Sequence, residues 1–156
     1  MEDQQNKEKE IFAKLARLCS RSEVCTPDIR KKIKESGGDA EMQDRIIKRL
    51  QDEKFLDDER YVRAYTRDKF RLNKWGRVKM RYYLKMKGIQ DNIIDSGFEE
   101  IDEDKYVKLL IKTMKEKAKT VKKENKFDKM GQIIRFAQGR GFEPELIHRH
   151  INSVVQ

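Results

Sequence analysis

Along most of this chain apolar residues return every three or four positions between runs of charged side chains, which is the period of amphipathic helices. Ile11, Phe12, Leu15 and Leu18 mark a first helix over roughly residues 4–20. Thr26-Pro27-Asp28 then supplies a cap, a proline suited to the first helical turn and an acid. Ile29 and Ile33 follow, and Gly37-Gly38 stops this second helix. Met42, Ile46, Ile47 and Leu50 give a third between Asp39 and Gln51, and Lys54-Phe55-Leu56 closes the unit.

The same order returns twice. Asp58 to Leu72 places Tyr61, Val62, Tyr65 and Leu72 on one helix face, and Asn73 to Gly76 makes a turn. A helix with Met80, Tyr83 and Leu84 runs to Gly88, and Ile89, Ile93 and Ile94 open another toward Phe98 and Ile101. From Asp104, Tyr106, Val107, Leu110, Met114, Ala118 and Val121 predict a long helix, and residues 122–126 read as a linker. Phe127, Met130, Ile133, Ile134 and Phe136 predict the next, Gly139 to Phe142 a turn, and Leu146, Ile147 and Ile151 the last. The expected fold is all-α: three tandem three-helix, helix-turn-helix-like repeats at 1–56, 57–101 and 102–156. Such units share interfaces, so an elongated, curved array is expected, with a reach of roughly 60–80 Å.

Composition sharpens this picture. Of 156 residues 42% are charged and only 37% apolar, too little for one thick core. No apolar run reaches the ~20 residues of a membrane span, and the opening MEDQQNKEKE lacks a signal peptide's apolar stretch, so a cytoplasmic protein with no membrane partner is expected. The formal charge of +9 is segregated: residues 60–87 hold eleven basic groups against Asp68 alone, whereas 88–104 hold seven acids and no Lys or Arg. A basic block of that density implies a polyanionic partner, the alternative being a solvated surface balanced by the acids. Residues 105–129 form a second, lysine-dominated block, in which Lys112, Lys115, Lys119, Lys122, Lys123 and Lys126 suit diffuse phosphate contact or a solvated helix end.

Catalytic signatures are missing. Cys19 and Cys25 lack nearby histidines for a zinc site, and His148 and His150, two apart, point to different helix faces. Phosphate-loop, nucleophile-elbow and HExxH patterns do not occur, and Asp57-Asp58-Glu59 reads as a helix cap rather than a metal site. Neither an enzyme nor a cofactor is expected.

Residues 55–89 resemble the RecX family of recombination regulators. The resemblance rests on Leu56-Asp57-Asp58, Tyr61, Tyr65, the basic turn Lys74 to Gly76, Met80, Leu84 and the closing Lys87-Gly88. It implies a monomeric, non-catalytic protein that binds the filament of the RecA recombinase, with single- or double-stranded DNA inside it, and inhibits strand exchange and ATP hydrolysis. The residues expected to meet filament or DNA are Arg63, Arg67, Arg71, Lys74, Trp75, Arg77, Lys79, Arg81, Lys85 and Lys87. Trp75 suits either stacking on an unpaired base or covering a gap between helices. Tyr61, Tyr65 and Tyr83 are expected in the core. A direct DNA-binding protein with a helix in the major groove is the competing reading.

Overall fold

The computed structural model describes residues 2–122 and 124–155, and its regular structure is helical throughout. The helices are α1 (Glu2–Arg21), α2 (Thr26–Glu35), α3 (Ala40–Asp52), α4 (Asp58–Asp68), α5 (Arg77–Met86), α6 (Asp91–Gly97), α7 (Glu103–Thr120), α8 (Lys126–Gly139) and α9 (Pro144–Val154). A π-helical segment, Lys69–Asn73, extends α4, and a 3-10 turn, Phe98–Glu100, follows α6.

Local chemistry places most of these boundaries. Asp39 accepts from Met42 N at 2.9 Å to start α3, Asp102 accepts from Lys105 N at 3.1 Å to start α7, and Asn125 caps α8 through Phe127 N at 2.8 Å. Asp57 plays the same part for α4, accepting from Arg60 N at 3.1 Å. Pro27 and Pro144 stand in the first turns of α2 and α9. Each second helix of a set ends on a glycine in the left-handed region: Gly37 (φ 91°), Gly88 (φ 94°) and Gly141 (φ 95°).

Four local expectations change. Thr26 does not cap α2: the N-cap is Cys25 and makes no side-chain bond, while Thr26 N donates to Asp58 Oδ1 at 2.7 Å. The helix expected through Leu72 stops at Asp68, and the wider π turn rotates Leu72 off the apolar face, leaving it 78% exposed. Tyr83 is 42% exposed rather than in the core, whereas Tyr61 and Tyr65 are half-buried. Phe127 lies in the first turn of α8, ahead of its buried stripe, and is 80% exposed.

The chain groups into two compact units. The first takes the described residues up to Ala64 together with Lys85–Gly97. Its core is Ile11, Leu15, Ile29, Ile33, Met42, Ile46, Ile47, Leu50 and Leu56, contributed by α1, α2, α3 and the segment after α3. The second takes Tyr65–Leu84 and the described residues from Phe98 onward. Tyr106, Leu110, Met114, Ile133, Ala137, Phe142, Leu146, Ile147, Ile151 and Val155 form its core. The middle set of helices is therefore shared out between the two units.

Candidate functional site

Of the ten residues singled out above, Arg67, Arg71, Lys74, Trp75, Arg77, Lys79 and Arg81 belong to the second unit, and Arg63, Lys85 and Lys87 to the first.

In the second unit the basic residues have separate local fates. Arg77 is drawn inward: its guanidinium meets Glu103 at 2.8 Å and Glu143 at 2.6 Å and lies 4.0 Å from the centre of the Tyr106 ring. The Tyr106 hydroxyl accepts from Arg77 N at 2.8 Å and donates to Glu143 Oε1. Burial and the adjoining Glu143 push the Tyr106 phenol well above its usual range, and hydrogen bonding to Arg77 lowers the Glu103 carboxyl. At the start of α5 the backbone adds two contacts, Gly76 N donating to Arg140 O at 2.8 Å and Val78 N to Gly141 O at 2.9 Å. Arg77 thus ties α5 to α7 and the α8–α9 turn.

Trp75 is half-buried and stacks on Tyr83, with ring centres 5.2 Å apart and planes inclined by 24°. Lys69 Nζ and Lys79 Nζ stand 4.9 and 4.7 Å from its ring centre. A base stacking on Trp75 would have to displace these neighbours. Lys79 Nζ also donates to Gly139 O at 3.4 Å, Arg81 lies 5.2 Å from the Phe98 ring, and Arg67 pairs with Glu100 at 3.0 Å. Arg71 and Lys74 are exposed and, among the described residues, have no ion-pair partner. The π segment and the left-handed turn at Lys74 (φ 58°) project them from the connection between α4 and α5.

In the first unit each candidate has a carboxylate. Arg63 pairs with Glu59 at 3.0 Å, Lys85 with Asp91 at 3.1 Å and Lys87 with Asp28 at 2.8 Å. The Asp28 hydrogen bond raises the Lys87 ammonium pKa.

Several residues join the basic surface that pattern reading passed over. Lys117 and Arg140 lie 4.9 and 5.1 Å from the Phe136 ring beside a groove of about 520 Å³ that Lys74 also lines. Lys105 borders a separate cleft with Arg71. Lys112, Lys115 and Lys119 share one face of α7, as their spacing implies, whereas Lys123 lies outside the described residues. Tyr82, 61% exposed and edge-on to Tyr83 at 5.2 Å, falls outside the Met80–Leu84 stripe, so apolar periodicity gave it no signal. Among the described residues no helix is long and apolar enough to cross a membrane.

Comparison with known proteins gives one consistent result. The family domain described as "RecX, second three-helix domain" matches residues 57–97. "Regulatory protein RecX" of Clostridium tetani is 32% identical over 126 residues, which is 80% of this chain and 57% of that protein. The protein of the same name from Chlorobaculum tepidum is 29% identical over 128 residues, covering 82% of this chain and 78% of its own length. Hence the chain spans little more than half of the first relative and about three quarters of the second. The crystal structure of RecX from Lactobacillus salivarius superposes with a TM-score of 0.89 at 17% identity, covering 96% of this chain and 97% of that one. The likeness at that identity is one of fold.

Proposed function

This chain belongs to the RecX family of regulatory proteins, and on that footing we propose that it regulates the RecA recombinase by binding the RecA–DNA filament, without chemistry of its own. It acts in the cytoplasm and lowers strand exchange and ATP hydrolysis by the recombinase. The observation that carries the reading is the exposed pair Arg71 and Lys74, which no carboxylate among the described residues neutralises. Lys79 lies a few residues along the chain, and the summed potential favours a polyanion. Arg77 is left out of the contact because two carboxylates already hold it.

Direct reading of duplex DNA by a helix-turn-helix is less well supported. The third helix of the middle set, α6, carries Asp91 and Asp95 and no basic residue, so its charge opposes entry into a groove.

The test titrates the protein onto recombinase assembled on single-stranded DNA while following ATP hydrolysis and strand exchange. Both should fall. The double variant Arg71→Glu, Lys74→Glu should lose at least tenfold in potency while melting within about 1 °C of the unmodified protein, since exposed charges away from contacts change stability little. Recombinase activity that is untouched at saturating protein refutes the reading.

A further inference from the structure

The outward face of α5 carries aromatic surface that neither the core nor the pair Arg71 and Lys74 uses. Met80 and Leu84 are the buried residues of this helix, and Tyr82, two positions from each, stands about 200° around the axis from both. Its ring is accordingly 61% exposed. Val78, one turn earlier on the same line, is 50% exposed, and Tyr83 is 42% exposed. Isolated apolar residues at a surface are ordinary, but neighbouring ones on one helix face mark a place of contact.

The rings stand in a fixed order. Trp75 stacks on one face of Tyr83, with centres 5.2 Å apart and planes at 24°, and Tyr82 meets Tyr83 at 5.2 Å and 82°. An edge-to-face pair occupies at most one face of either ring, so Tyr82 keeps a face for another partner. The charge beside this row is positive. α5 contains no acid, and the ammonium groups of Lys69 and Lys79 lie 4.9 and 4.7 Å from the centre of the Trp75 ring, where no carboxylate among the described residues holds them. Trp75 and Tyr82 are separated by two ring spacings, a distance that a few nucleotides of strand cross.

We propose that Tyr82 is a stacking platform for one unpaired base of a nucleic-acid single strand. The base lies on the free face of Tyr82, Val78 adds apolar surface beside it, and Lys69 and Lys79 draw the phosphates further along. Cations set over a row of rings, rather than around an apolar pocket, are the arrangement of single-strand binding surfaces, which favours a nucleotide over an acidic protein segment. A paired base keeps both faces stacked on its neighbours, so a duplex offers the ring nothing without unstacking. The inference rests on the reading of this unit as a DNA contact and specifies its strandedness.

The test titrates the full chain, by anisotropy, against three fluorescein-labelled probes: a short oligothymidylate, the same backbone with abasic sites, and a duplex of equal length. Tyr82→Leu removes the flat ring and keeps an apolar side chain. It should weaken oligothymidylate binding about five- to fiftyfold and leave the abasic strand and the duplex within about twofold of the unmodified protein. Because the ring is mostly exposed, the variant should melt within about 2 °C of the unmodified protein. Tyr82→Phe retains the ring and should restore oligothymidylate binding. An oligothymidylate carrying 5-iodouracil should cross-link to Tyr82 on irradiation, as located by mass spectrometry. Unaltered oligothymidylate binding by Tyr82→Leu, equal losses on the abasic strand, or a cross-link confined to other residues overturns the platform even where recombinase inhibition persists. Loss of inhibition by Tyr82→Leu at unchanged oligothymidylate affinity also overturns it and turns the ring toward a protein partner. Conversely, ring-dependent single-strand binding by a protein that does not inhibit the recombinase overturns the filament reading and leaves the platform standing.

Discussion

Replacing Tyr106 by phenylalanine isolates the polar network that holds α5 in the second unit. The ring is fully buried, and phenylalanine keeps its contacts with Phe70 at 6.2 Å and Phe142 at 5.3 Å, so packing is preserved and only the hydroxyl is lost. That hydroxyl donates to the Glu143 carboxylate and accepts from Arg77 N. A hydrogen bond to a charged group contributes about 1.5–3 kcal/mol, and the orphaned amide adds about 1 kcal/mol. Glu143 keeps its Arg77 partner, so no carboxylate is stranded, and the expected loss is about 2–4 kcal/mol. For a chain of this length that corresponds to a fall in melting temperature of roughly 5–15 °C. Urea denaturation should show a lower midpoint at an unchanged slope. A cycle with Glu143→Gln should give a coupling of about 1–3 kcal/mol, because the two side chains share one bond. A loss below about 0.5 kcal/mol without coupling would refute the reasoning, by showing that the network only balances the cost of desolvating its members.

Two further predictions concern single residues. At Gly76 an added Cβ would stand 2.3 Å from Gly141 O and 2.5 Å from Phe142 N, backbone atoms that cannot swing aside, whereas at Gly139 nothing lies within 4 Å. Gly76→Ala should therefore cost more than about 2 kcal/mol, while Gly139→Ala should be neutral or stabilising by up to about 1 kcal/mol; thermal melts that rank them the other way contradict the close-approach argument. Cys25 is fully buried and burial pushes its thiol up to about 11, so roughly one molecule in a thousand is thiolate at pH 8. Half-buried Cys19 should react first with a disulfide reagent at that pH, and Cys25 only after urea or, more slowly, as the pH rises toward 11; two thiols released at one rate would count against the buried site.

What could be read from the chain was local. Apolar spacing located the helices because it reports which residues share a face, and Pro27 and Asp39 mark helix starts because capping acts over one turn; Asn125, read as part of a linker, caps α8 by the same short-range chemistry. Gly37, Gly88 and Gly141 stop helices for an equally local reason, the left-handed backbone that each adopts. The motif from Leu56 to Gly88 was legible for the same cause, being one contiguous stretch of sequence.

The fate of several charges, Arg67, Arg77 and Lys87 among them, was decided at long range. Arg77 and Lys74 look alike in a basic block, yet the fold brings Glu143, 66 residues away, onto Arg77 and no carboxylate onto Lys74 among the described residues. Gly76 reads as a turn glycine, but its requirement comes from the backbone of Gly141 pressed against it. Tyr83 keeps helical register with Met80 and still lies at the surface against Trp75. Periodicity and charge counts are properties of neighbours along the chain; which side chain is neutralised, covered or left facing a cleft depends on groups that only folding brings within a few ångströms.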